Sequence, residues 1–110
     1  MQHESLTDLV TQHLSKAKES SAGRSAHTVY GGHERSLRQT VIALRADARL
    51  DDHESPGDAT LQVLAGRVVL TWGSERQEGA TGDLLAIPGE RHALEATEDS
   101  VVLLTVAKRD

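Results

Sequence analysis

From about His27 to the C-terminal end, short runs rich in Val, Leu, Ile and Thr alternate with turn signals, and no helical periodicity intervenes. Strands are expected near His27–Tyr30, Leu37–Arg45, Ala59–Leu64, Arg67–Trp72, Leu84–Ile87, Ala93–Ala96 and Val101–Ala107. The turns between them fall at Gly31-Gly32, Ser55 to Asp58, Gly66, Gly73-Ser74, Gly79 to Gly82, Pro88-Gly89 and Glu98 to Ser100. Short strands in succession with no helix between them leave an all-β sandwich or barrel. At 110 residues there is room for one such domain.

The first twenty-odd residues differ. Leu6, Leu9, Val10, His13, Leu14 and Ala17 recur at the spacing of an amphipathic helix. Ser5 stands where an N-cap belongs, with Asp8 three residues on, and Gly23 is expected to end the helix. The division is therefore a helix over 1–23, packing on the barrel or on a partner subunit, and a barrel over 24–110. No second helix follows to complete a DNA-reading pair.

Composition narrows the functions. There is no Phe, one Tyr (Tyr30) and one Trp (Trp72), so the core is aliphatic and a stacking platform for single-stranded nucleic acid is excluded. Both aromatics sit beside glycine turns and are expected to line an end or an interface. A net charge of −5 without Lys or Arg clusters argues against nucleic acid and anionic membranes. No long apolar run or signal-like segment stands out, so a cytoplasmic chain is expected. The absence of Cys removes disulfides, thiolate metal sites and cysteine nucleophiles. Leu84 to Ile87 and Val101 to Leu104 are continuously apolar, as strands covered on both faces are, and a homodimer is one way to cover them.

Six histidines remain as the main ligand type. His3 and His13 belong to the helix and read as surface or hydrogen-bonded positions; His27 and His33 flank the Gly31-Gly32 turn and are weak candidates for the mouth of the domain. His53 and His92 have more telling surroundings: Asp47 to Gly66 around the first, and Gly82, Pro88, Gly89 and His92 around the second. These two segments resemble the paired motifs of the cupin superfamily, small jelly-roll barrels. The first motif of that family is Gly, five residues, His-x-His, three or four residues, Glu, six residues, Gly. The second is Gly, five residues, Pro-x-Gly, two residues, His, three residues, Asn. Order and spacing agree from Asp47 to Ala96.

The resemblance implies four metal ligands. His53 and His92 match two of them, whereas Ser55 stands at the second histidine and Ala59 at the glutamate. Asp47 replaces the opening glycine, Ala96 the final asparagine, and one residue is missing before His92. Two imidazoles alone make a weak site, because catalytic Zn or Fe centres use at least three protein ligands. Glu54 or Asp58, or else Asp52 or Glu95, would have to add a carboxylate for Zn, Fe, Mn or Ni to bind. Three readings follow. One is a module that binds a small organic molecule or supports a partner enzyme, with His53, His92, Ser55, Gln62 and Arg45 at the barrel mouth and no cofactor. A second is a metal-dependent dioxygenase or isomerase with nonstandard ligands. The third is a structural or interaction protein, which a filled interior would favour. The missing ligands weigh against an enzyme, and no residue is assigned a catalytic role.

Overall fold

The computed structural model describes residues 3–54 and 57–108, without the side chains of Asp52 and His53. Helix α1 runs from Leu6 to Glu19, and Ser5 caps it by accepting a hydrogen bond from the Asp8 N–H at 3.2 Å. The helix ends earlier than Gly23 predicts. Ser20 is its C-cap, bonding back to Lys16 and Ala17, while Gly23 turns the chain into the first strand at φ +73°.

Nine strands follow: β1 (Arg24–Tyr30), β2 (Leu37–Leu44), β3 (Arg49–His53), β4 (Gly57–Ala65), β5 (Arg67–Trp72), β6 (Glu75–Ala80), β7 (Leu84–Ala86), β8 (His92–Ala96) and β9 (Ser100–Lys108). They form two antiparallel sheets, β1-β2-β9-β4-β7 and β3-β8-β5-β6, the arrangement of a small jelly roll. We call the first sheet A and the second sheet B.

The core is aliphatic, as composition requires. Leu44, Leu61, Val63 and Val102 from sheet A meet Val68, Leu70, Leu94 and Ala96 from sheet B. The opposite face of sheet A is also buried: Leu9 and Ala17 of α1 cover Val29, Val41, Ala43, Val101 and Leu103. That second cover explains the unbroken apolar run of β9, which lies between β2 and β4 with Val101, Val102 and Leu103 all buried.

The edges of the two sheets account for two departures of the single chain from the apolar pattern. Strands β3 and β6 were not legible in the sequence, because both are outer strands of sheet B. Glu75, Arg76, Gln77 and Glu78 of β6 are all exposed, so no apolar alternation marks that strand. Conversely, Leu84-Leu85-Ala86 is not covered on both faces within the chain. Strand β7 is the edge of sheet A, with Leu85 buried between an exposed Ala86 and a Leu84 that is 66% exposed.

The motif framework supplies the turns. Asp47, at the position of the opening glycine, has φ +73° and is the one non-glycine in the left-handed region among the described residues. Its N–H bonds Ala96 O at 2.8 Å, tying the start of one motif to the end of the other. Gly66 has φ +93°, and a side chain there would collide with the backbone of Asp99 and Ser100.

Candidate functional site

The strand register places the candidate histidines. His53 closes β3 and pairs, Cα to Cα, with His92 at the start of β8. The second motif thereby lies beside the first, although the His53 side chain is outside the described residues, as is the whole of Ser55. His92 is 5% exposed, at the end of the barrel where β5 finishes in Trp72. Its Nδ1 lies 2.9 Å from Glu90 O. A carbonyl only accepts, so Nδ1 carries the hydrogen and Nε2 carries the lone pair in the neutral ring.

Behind His92 a small cavity lies between the two sheets. Among the described residues its walls are seven aliphatic side chains, including Ile42, Leu50, Leu61, Leu70 and Leu104, and the single polar group is His92. About 20 Å³ is open to the centre of a water-sized sphere, room for roughly one water. A second, much wider recess lies on the surface between the free edges of the two sheets. Trp72, Gln77, Leu84, Leu85 and Ala86 line it, and its volume is about 420 Å³.

The other candidates are dispersed. Gln62 lies between Leu61 and Val63, which point into the core, so its own side chain is on the outer face and exposed. Arg45 follows β2 at the opposite end of the barrel, the end marked by Ser100 and Ala96. There its Nη1 donates to Ser20 O at 3.2 Å and helps hold the turn after α1. Neither side chain is brought to the mouth. Glu54 and Asp58 are exposed, and Glu95 points away from the cavity toward Arg49, 3.8 Å from its Nη1. The Asp52 side chain lies outside the described residues. His33 and His3 are exposed, while His27 faces α1 rather than the mouth. Tyr30 is half-buried and its hydroxyl accepts from Arg35 at 2.9 Å; Trp72 is half-buried at the rim of the core.

Known structures share this fold. A conserved protein of unknown function from Streptococcus pyogenes is 30% identical, with a TM-score of 0.73 over 83% of this chain and 79% of that one. A cupin superfamily protein from Desulfitobacterium hafniense superposes with a TM-score of 0.72 at 15% identity, over 78% of each chain. This chain has the fold of a small cupin-type domain. The salicylate 1,2-dioxygenase of Pseudoaminobacter salicylatoxidans contains a similar unit: TM-score 0.74 and 21% identity over 93% of this chain, but only 33% of the dioxygenase. No family model and no curated protein matches the sequence.

Among the described residues, the position of the family's carboxylate ligand carries no donor side chain. Ala59 offers a methyl group where the family motif has a carboxylate, and its carbonyl is taken by the Ile87 N–H at 3.0 Å. Among the described residues no three His, Cys, Asp or Glu side chains converge. His92 alone among the described residues brings a donor atom to the cavity wall.

Proposed function

We propose that this cupin-type domain is an accessory module that works by binding and has no metal chemistry of its own. The observation that carries the reading is the cavity: among the described residues, aliphatic walls and one imidazole, with space for about one water. A metal-dependent reaction needs several donors around an open coordination position, as well as room for substrate. The likeness to a dioxygenase, at 21% identity, carries the fold and not the activity. Elemental analysis of protein expressed without a metal-capturing tag tests this directly. The expected result is far less than one transition metal per chain. Stoichiometric metal that is lost in His92→Ala would overturn the reading.

The binding surface we assign is the recess between the sheet edges, and its occupant is a second copy of the chain. What supports this is Leu84, which is 66% exposed beside Trp72 on an unpaired edge strand. Wild type is then a dimer by light scattering at micromolar concentration, and Leu84→Asp is a folded monomer. A monomeric wild type removes the homodimer. A small organic ligand is the second reading, favoured by the recess volume of about 420 Å³, which falls in the range of small-molecule sites. Chemical-shift changes confined to Trp72 and Leu84 on screening small molecules against a monomeric chain would select it.

A further inference from the structure

A second histidine cluster lies under the helix, away from the cavity and the recess. His13 belongs to the apolar stripe of α1 and is 6% exposed. Its Nδ1 is 2.7 Å from Ser25 Oγ. Its ring stacks on that of His27, with centroids 5.5 Å apart and planes inclined by 20°. His27 Nε2 lies 3.5 Å from Glu4 Oε2, so the nearby carboxylate serves the outer ring of the stack.

Among the described residues, the charged and titratable groups that act on His13 disfavour a second charge there. From its own helix comes Lys16, and from β1 comes His27, alongside the neutral Ser25. Strands β2 and β9 bring Val41, Ala43, Val101 and Leu103, none of which titrates. Burial, then Lys16, then His27 hold the His13 pKa below the ordinary histidine value of 6.5.

We propose that the His13–Ser25–His27 contact is an acid-operated latch: when His13 takes up a proton, the N-terminal part of α1 lifts from sheet A and uncovers Val41 and Leu103. The hydrogen bond is not what fails. A protonated ring still donates to Ser25 Oγ, because the hydroxyl turns to accept. What fails is the placement of a cation in an apolar seam, against Lys16 and face to face with a second imidazole. The sign follows from linkage. The docked state binds fewer protons than the undocked one, so docking is complete above 6.5 and weakens as pH falls below it. Only one end of the helix is released. Lys18 pairs with Asp99 at 3.3 Å and Arg45 holds Ser20 O at 3.2 Å, so the segment after Glu19 acts as the hinge.

Hydrogen exchange on the full chain, corrected for intrinsic rates, reads this out at about pH 7.5 and about pH 5.5. At the lower pH the α1 amides lose protection several-fold, about tenfold being the most that one histidine can supply over this interval, while those of β4 and β9 keep theirs. In His13→Gln, which keeps a hydrogen-bonding group but cannot titrate, the helix is equally protected at both values. Unchanged protection in wild type, or an undiminished loss in His13→Gln, overturns the latch. Should that variant fail to fold, an NMR titration of the wild-type His13 ring decides: a midpoint below 6.5 supports the latch and one at or above it refutes it.

Discussion

His92 and His13 are equally buried, at 5% and 6% exposure, yet their surroundings give them different parts. His92 stands at the wall of the inner cavity, its tautomer set by a backbone carbonyl, and both sheets pack around it. His13 lies between a helix and the outer face of sheet A, bonded to a hydroxyl that can donate or accept. The elements around His92 cannot separate without opening the core, whereas those around His13 can part while the barrel stays closed. Equal burial therefore does not mean equal mechanical consequence. What decides is whether the buried group sits inside the cooperative unit or at its margin.

The largest expected effect tests that division. Leu70→Ala, in the cavity wall, is expected to cost about 2–5 kcal/mol in urea unfolding. Leu9→Ala, in the helix seam, is expected near the lower end of that range, with faster exchange confined to α1. Equal losses spread over the whole chain would erase the distinction between core and margin. Next comes Ser5→Ala, which removes the helix cap and is expected to cost about 1 kcal/mol; that loss should appear in α1 exchange before it appears in the barrel.

His92→Leu is expected to stay within about 1 kcal/mol of wild type. One partner it leaves, Glu90 O, belongs to an exposed residue and can turn to water. A much larger loss would show that His92 is structural in its own right. The smallest effect belongs to Asp99. The Ala46 N–H first, then Lys18, holds its carboxyl below the usual carboxylate range. Its contribution is thus present above that range and lost as pH falls through the lowered value. Asp99→Asn should remove that part of the acid sensitivity, worth less than about 1 kcal/mol at so exposed a site. It should leave the response near the histidine value intact, separating the hinge from the latch.

Much of the fold was readable without coordinates. The Ser5 cap, the stripe from Leu6 to Ala17 and the central strands β2, β4, β5 and β9 are local signals, and the structure keeps them. The turn assigned to Asp47 is also real, with its backbone in the left-handed region. Strands β3 and β6 escaped because an outer strand needs no apolar face, and the charged stretches Arg49 to His53 and Glu75 to Glu78 look like loops. Gln62 and Arg45 are expected at the barrel mouth, but strand alternation turns the first outward and chain direction carries the second to the far end. The His13 cluster was missed for a different reason. A histidine on an apolar helical stripe signals a buried partner, yet Ser25 and His27 belong to a strand whose register against the helix no local pattern reveals.

Local residue order determined the elements, the aliphatic character of the core and the jelly-roll motif spacing, because each depends on neighbours in the chain. Only the tertiary structure decided how little space lies behind His92, that Leu84 stands exposed on a free edge, and that two imidazoles stack beneath the helix. Those facts depend on which faces meet across distant segments. Side-chain volume and strand register settle that only once both sheets and the helix are in place.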